Sequence, residues 1–222
     1  MNLTPEVQFW MDWWLKVAGA VATMSAVVVA LFKDAIISRL FPLKLEIELL
    51  NSVGEWSPIR MQWQNEQGQI EQKDSEARYY HLRVSNKRPW RVATNVQVYL
   101  LSVEEPGPDK RFQLKWVNAI PMTWRHREIY PLTRTVGSPI DCDLCSVVKE
   151  GYLQLHLLIA PNALPTHLEG EQFMVLTVEA RANEGVSKIR RIQIAWDGQW
   201  DKADSEMQKH VRIEDVTGQT NG

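Results

Sequence analysis

Residues 79–104 read YYHLRVSNKRPWRVATNVQVYLLSVE and contain two runs in which apolar and polar side chains alternate. Successive side chains of a β-strand point to opposite faces, so this alternation is typical of strands with one buried face. The polar residues NKRPW between the runs indicate a turn. The predicted core-facing positions are Tyr80, Leu82 and Val84 in the first run and Val96, Val98 and Leu100 in the second, while His81 and Arg83 face outward.

Short apolar-polar runs recur on both sides of this stretch. The others are LKLEIELL, IRMQWQ, RFQLKW, PMTWRH, IDCDLCSVV, YLQLHLLIA, FMVLTVEARA and KIRRIQIAW, with turn residues between them. Their spacing is typical of a β-sandwich or barrel of about 8–10 strands, and no linker divides them. We therefore predict one all-β domain over residues 43–200. Residues 201–222 form a predicted C-terminal extension in which DKADSEMQKHVRIEDV makes a short helix and a strand and TGQTNG is disordered.

The N-terminal segment differs in its pattern. Residues Trp13–Phe32 read WWLKVAGAVATMSAVVVALF, twenty residues with Lys16 as their one charge. As a helix this run is about 30 Å long, which matches the hydrocarbon thickness of a bilayer. Aromatic rings settle at the headgroup level, and four precede or open the run: Phe9, Trp10, Trp13 and Trp14. Residues 1–42 are therefore predicted to form a transmembrane and juxtamembrane helix, from about Pro5 to Phe41.

The residues flanking the apolar run indicate an uncleaved anchor and its orientation. Glu6 and Asp12 precede the run and no small-x-small cleavage site follows it, so a signal peptide is disfavoured. Basic residues prefer the cytoplasmic side, and the C-terminal flank carries Lys33, Arg39 and Lys44. The prediction is a single-pass protein of the inner (plasma) membrane, with its N-terminus outside and its β-domain in the cytoplasm.

A stripe of small residues follows one face of the predicted membrane helix. It consists of Ala18, Ala22, Ala26 and Ala30, spaced four apart. Small residues at this spacing let two helix backbones approach closely. The stripe predicts a homo-oligomer formed through the membrane helix, the alternative being that alanine is simply common in such helices.

Composition excludes several function classes. The 222 residues are 45% hydrophobic and 23% charged with a net charge of −2, so the chain lacks the basic excess of a protein that coats nucleic acid. Nucleophile motifs, G-x-G-x-x-G and the P-loop are absent, so we expect no catalytic residues, no enzyme activity and no cofactor.

Cys142 and Cys145 could supply two zinc ligands, but a second C-x2-C is missing. The favoured alternative is that both cysteines are small buried residues of a strand, so no metal site is predicted.

Two short segments combine basic and aromatic side chains. A guanidinium can pair with a phosphate or carboxylate while a Trp ring stacks on a base, and both residue types anchor protein interfaces. The alternative is a solvated turn whose Trp covers the edge of the sandwich. We predict a surface for an anionic small molecule or an acidic protein partner, lined by Arg88, Trp90, Arg91, Trp124, Arg125 and Arg127.

Residues 79–104 resemble the strand, turn and A-x-N-V-x-V-x-L strand of bacterial immunoglobulin-like domains. Asn86 opens the turn, and Ala93, Asn95 and Val96 open the second strand. The resemblance implies an immunoglobulin-like sandwich and covers 26 residues.

The overall plan of one membrane helix followed by a cytosolic β-domain is similar to that of small membrane effectors of bacterial antiphage signalling. Those effectors bind cyclic nucleotides with their β-barrels and generally have more than one membrane helix; no ligand residue is transferred from them. Two functions are therefore expected. One is a non-enzymatic sensor or interaction module held at the membrane, and the other is a ligand-gated effector that oligomerises through its helix and disrupts the membrane.

Overall fold

The computed structural model describes residues 4–64, 67–88, 90–126 and 132–218, apart from the side chains of residues 34–38 and 64. The chain divides into two compact units, the first ending at Pro42 and the second beginning at Leu43. Pro42 follows the helical pattern directly and LKLEIELL begins the alternating one, so the division falls where the period of the sequence changes.

The first unit is a single helix, α1 (Pro5–Leu40). Pro5 lies in the first turn, where its missing N–H costs no hydrogen bond, and the Gln8 N–H donates to the Thr4 carbonyl at 3.1 Å. Residues Pro5–Lys33 are apolar and long enough to span a membrane, and the described structure buries none of them. The prediction of one such N-terminal helix is confirmed.

The second unit is a β-sandwich of two antiparallel sheets. One sheet has the order β1-β3-β7-β8-β9 with β2 also paired to β3, and the other has the order β13-β12-β10-β4-β5 with β11 on β10 and β6 on β4. The described elements are β1 (Leu45–Leu49), β2 (Glu55–Gln64), β3 (Ile70–Asn86), β4 (Ala93–Pro106), β5 (Phe112–Pro121), β6 (Arg134–Val136), β7 (Ile140–Val148), β8 (Tyr152–Leu155), β9 (His167–Glu169), β10 (Gln172–Ala182), β11 (Gly185–Val186), β12 (Arg190–Trp196), α2 (Asp204–His210) and β13 (Val211–Asp215).

One apolar core joins the inward faces of the two sheets. The six predicted core-facing residues of β3 and β4 are all buried in it. β3 belongs to the first sheet and β4 to the second, so the turn between them carries the chain from one sheet to the other. The predicted all-β class is confirmed, and the choice between sandwich and barrel is resolved as a sandwich.

Several elements differ from the predicted runs. β3 begins at Ile70, eight residues before the run RYYHLRVS, and residues 70–79 pair with β2. The side chains of residues 70–74 are all exposed, so neither face of this part of β3 is buried. Its sequence therefore shows no alternation of apolar and polar residues. The run PMTWRH makes only two isolated bridges, Met122 with Leu157 and Trp124 with Cys142.

The C-terminal segment packs on the domain. The predicted short helix and strand are present as α2 and β13, and β13 pairs along β12. Met207, Val211, Ile213 and Val216 are buried. The domain as folded therefore continues past residue 200 to Val216, and the predicted disordered end lies largely in residues 219–222, outside the described residues.

A buried arginine of β3 bonds to two distant segments of the chain. Arg78 on β3 has no solvent exposure, and its guanidinium donates to the Asp204 carboxylate and to the Lys202 carbonyl, both at 2.7 Å. It also lies 3.4 Å from the Val53 carbonyl and 3.5 Å from the Gly54 carbonyl. One side chain thus holds the start of β2 and the segment that leads into α2.

Replacing Gly54 with Ala should destabilise the protein more than the same change at Gly151. Both glycines have positive φ, 76° and 88°, so either alanine has a conformational cost of about 1–2 kcal/mol. A Cβ at Gly54 would also lie 2.7 Å from Arg78 Cγ and 2.8 Å from Tyr80 Cε1, whereas Gly151 has open space. We expect Gly54→Ala to lose a further ~1–3 kcal/mol, measured as a lower melting temperature of the full chain in detergent. Equal losses in both variants would contradict this packing.

Candidate functional site

The first predicted cluster lies in the turn between β3 and β4. The Arg88 N–H donates to Asn86 Oδ1 and the Arg91 N–H donates to the Arg88 carbonyl, both at 3.0 Å, while Asn86 Nδ2 donates to the Arg91 carbonyl. Asn86 therefore closes the turn. Trp90 is 70% exposed, and both arginines are half-buried.

The second predicted cluster is divided between the core and the surface. Trp124 is only 3% exposed and belongs to the core, where its Nε1–H donates to the Leu132 carbonyl at 3.0 Å. Its ring is therefore not available to a ligand. Arg125 is half-buried at the surface, and Arg127 lies outside the described residues.

The two clusters are held at different places on the first sheet. The turn of Arg88, Trp90 and Arg91 follows the end of β3 at Asn86. The Arg125 N–H donates to the Asp141 carbonyl at 3.1 Å, and Asp141 lies opposite Arg83 in the register of β3 with β7. Along β3, Arg83 lies three residues before Asn86, which opens the turn. At a rise of about 3.3 Å per residue, these two residues are roughly 10 Å apart along the strand.

Arg125 instead lines a polar cleft on the outer face of the first sheet. The cleft has a volume of about 620 Å³, within the range of small-molecule sites. Strand register assembles it, because Glu55 lies opposite Tyr79 and His81 lies opposite Asp143. These outward side chains alternate with the buried ones. The cleft is lined by Glu55, Ser57, Ile59, Tyr79, His81, Thr123, Arg125, His126, Asp143 and His156, among others.

A β-bulge in β7 aims Asp143 at His81. Tyr80 pairs with Cys145 and His81 pairs with Asp143, so Leu144 is the extra residue. The bulge breaks the alternation, and Leu144 and Cys145 are consecutively buried. Bulges are known to re-aim side chains beside functional sites.

His81 is the most enclosed titratable group of the cleft, with 5% of its side chain exposed. Its Nδ1 lies 2.8 Å from Asp143 Oδ1, and because a carboxylate only accepts, Nδ1 carries the hydrogen. Its Nε2 is buried and has no hydrogen-bond partner among the described residues. Glu55 Oε2 lies 3.7 Å from this nitrogen. Since buried polar groups are normally paired, the unpaired Nε2 requires an explanation.

Ion pairs and rings surround His81. Arg125 Nη2 donates to Glu55 Oε1 at 2.7 Å, and Arg125 Nη1 lies 3.8 Å from Asp141 Oδ2. The Tyr79 ring is stacked between His81, with centroids 6.3 Å apart, and His156, with centroids 5.5 Å apart. Arg125, which was predicted to line a surface for an anionic ligand or acidic partner, is therefore already paired with carboxylates of this chain.

The cysteines contribute nothing to the cleft. Cys142 and Cys145 are free and buried on β7, as the favoured interpretation of the C-x2-C expected. Burial raises the pKa of both thiols, which keeps them protonated near neutral pH. Within the described ranges, no group of three or more His, Cys, Asp or Glu side chains is placed to hold a metal ion.

The comparisons with known proteins add no relative. No family model, curated protein or solved structure matches the chain. The cleft is thus interpreted from its own geometry.

Truncating Trp124 should destabilise the protein far more than truncating Trp90, the other tryptophan predicted to stack on a ligand. Trp124→Ala removes a buried ring and its hydrogen bond, so the free energy of unfolding should fall by roughly 3–5 kcal/mol. Trp90→Ala removes a ring that is 70% exposed, and the change should be within about 0.5 kcal/mol. Urea unfolding of the full chain in detergent, followed by circular dichroism, measures both. Similar losses would mean that Trp90 also packs structurally.

Proposed function

We propose that this protein is a membrane-anchored, non-enzymatic binding module whose β-sandwich takes a ligand in the polar cleft of the first sheet. The observation that carries the proposal is the enclosed His81 ring, which lies in a cleft of about 620 Å³ and whose buried Nε2 has no hydrogen-bond partner in the part of the chain that the structure describes. A bound ligand would supply the missing hydrogen bond. The rigid strands β2, β3 and β7 hold the lining side chains, as expected of a preformed site.

The anchor part of the proposal rests on α1. Its apolar length suits a bilayer, and the basic residues Lys33, Arg39 and Lys44 follow the apolar run. We propose an inner-membrane protein with the N-terminus outside and the sandwich in the cytoplasm. An immunoglobulin-like relationship is also proposed, supported by the two antiparallel sheets and by the turn that carries β3 into β4.

The turn between β3 and β4 is proposed as a separate contact for an anionic or acidic partner. Trp90 is 70% exposed there, and Arg88 and Arg91 flank it in sequence. The turn lies apart from the cleft, so a partner at the turn and a ligand in the cleft could bind together.

Filling the cleft should abolish ligand binding without unfolding the protein. Ser57 lies on the cleft wall, so Ser57→Trp places a ring in the cavity, and Asn118→Trp on exposed β5 is the matched control. The probes are cyclic dinucleotides, amino acids, polyamines and tripeptides, tested by thermal shift on the full chain. A probe at 100 times its dissociation constant should stabilise the wild type by about 2.7 kcal/mol, a shift of roughly 5–10 °C. The shift should persist in Asn118→Trp and vanish in Ser57→Trp.

The cleft proposal fails if the shifts are equal in both variants or if no probe stabilises the wild type. Leakage from vesicles that carry the protein, triggered by a stabilising probe, would favour the alternative function of a membrane-disrupting effector.

Bulky residues on the small-residue stripe should weaken helix association in the membrane. Ala22→Leu with Ala26→Leu holds two backbones apart, whereas Ala20→Leu with Val28→Leu adds bulk on the opposite face of α1. A bacterial reporter that scores both insertion and self-association of α1 is the measurement. Insertion should be unchanged in both variants, and association should fall only in the first. Unchanged association would contradict an oligomer formed through Ala18, Ala22, Ala26 and Ala30.

A further inference from the structure

We propose that the cleft recognises a primary alkylammonium group, such as a lysine side chain or a free alkylamine. The inference rests on the proposed function of the cleft as a binding site and names the chemistry of its ligand. It follows from the hydrogen-bonding state of His81, from the neighbouring acceptor on Glu55, and from the charge of the surrounding groups.

Asp143 fixes which nitrogen of a neutral His81 ring carries the hydrogen. Asp143 Oδ1 accepts from Nδ1 at 2.8 Å, so a neutral ring has its lone pair on Nε2. This nitrogen is buried and unpaired among the described residues. In the neutral ring this lone pair needs a hydrogen-bond donor, and Glu55, which the ion-pair network places beside it, is itself an acceptor.

Glu55 places a second acceptor beside His81. Its Oε2 lies 3.7 Å from His81 Nε2, while Arg125 Nη2 engages Oε1 at 2.7 Å. Two acceptors therefore lie side by side, and a nitrogen about 2.9 Å from each could donate to both. An ammonium has three N–H donors and a hydroxyl has one, so the pair favours an ammonium. Glu55 is 53% exposed, so a ligand can reach its carboxylate from solvent.

The charged groups around His81 favour a cationic ligand. Asp143 and Asp141 join Glu55 as carboxylates, and Arg83 and Arg125 are the two guanidiniums paired with them. With His81 neutral, the cluster has a formal charge of −1, which a monocation would balance. An anionic ligand would have to displace Glu55 from Arg125.

The apolar part of the cleft suits an alkyl chain. Pro58 and Ile59 of β2 and the Tyr79 ring line the same cavity as the polar groups, and Tyr79 lies opposite Glu55 in the register of β2 with β3. Methylene groups can pack on the Tyr79 ring, and a cation near an aromatic ring gains a further electrostatic attraction. A site of this composition should distinguish a primary amine from analogues that lack either its charge or its N–H donors.

Ligand analogues test the chemistry directly. Nα-acetyl-lysine methylamide and n-pentylammonium should both bind the full chain in detergent, measured by saturation-transfer NMR at constant ionic strength. The Nζ-trimethyl derivative of the lysine amide keeps the charge without donors, and the Nζ-acetyl derivative loses the charge. We expect each to bind at least about tenfold more weakly than the parent. Tighter binding of the lysine amide than of n-pentylammonium would identify a peptide as the source of the amine, and equal binding would identify a free amine.

A matched pair of variants tests the site. Glu55→Gln keeps the shape of the side chain and removes one acceptor charge at an exposed position, so the protein should fold. Glu214→Gln makes the same change on β13, where Glu214 pairs with Arg212 at 2.7 Å, the distance at which Glu55 pairs with Arg125. Binding of Nα-acetyl-lysine methylamide should weaken about tenfold in Glu55→Gln only.

Equal affinity for the lysine amide and its trimethyl derivative, or an equal loss in the two variants, would overturn the inference. Suppose that neither amine binds, that another probe binds, and that Ser57→Trp abolishes the binding of that probe. The ammonium is then not the ligand group, and the cleft is still a binding site. If nothing binds, both proposals fail.

Discussion

A guanidinium without solvent exposure can form hydrogen bonds only inside the protein, and the two terminal nitrogens of Arg78 bond to two distant segments, while its Nε has no partner among the described residues. Its 2.7 Å bonds to Asp204 and Lys202 hold the entrance of α2, and its contacts with the carbonyls of Val53 and Gly54 hold the entrance of β2. Removing one partner of a buried charged group costs far more than removing an exposed one. The first sheet, the C-terminal helix and the start of β2 are therefore positioned by one side chain.

The candidate site depends on the same interaction. Glu55 follows Gly54 and Tyr79 follows Arg78, so the contact between Arg78 and the start of β2 sets two neighbouring residues of the cleft. Because side chains alternate along a strand, holding Arg78 and Tyr80 inward turns Tyr79 and His81 outward. The bulge at Leu144 then brings Asp143 opposite His81. The core and the cleft are two faces of the same strands, so a change in register would displace both.

The proposed membrane tether would change what such a cleft can achieve. α1 is apolar along the length of a bilayer, and the sandwich begins shortly after it at Leu43. Confinement to a membrane raises the effective concentration of a module for partners held at the same surface, so weak recognition can suffice. This suits a site built from one histidine, one carboxylate and a few apolar contacts. Association of the anchors would add a second level of proximity.

The sequence by itself determined the apolar helix, the all-β class and the inward positions of β3 and β4, because each is written in a local period of 3.6 or 2 residues. It also indicated α2 and β13. It did not reveal the first part of β3, whose residues 70–74 are exposed and do not alternate. Nor did it separate Trp124, a core residue, from Trp90, an exposed one, since both stand beside arginines.

The cleft was decided only by tertiary structure. Glu55, His81 and Asp143 are far apart in the chain, and strand register brings them together. Periodicity assigns a residue to a face, whereas the partner across that face depends on pairing between distant strands, which no local pattern encodes.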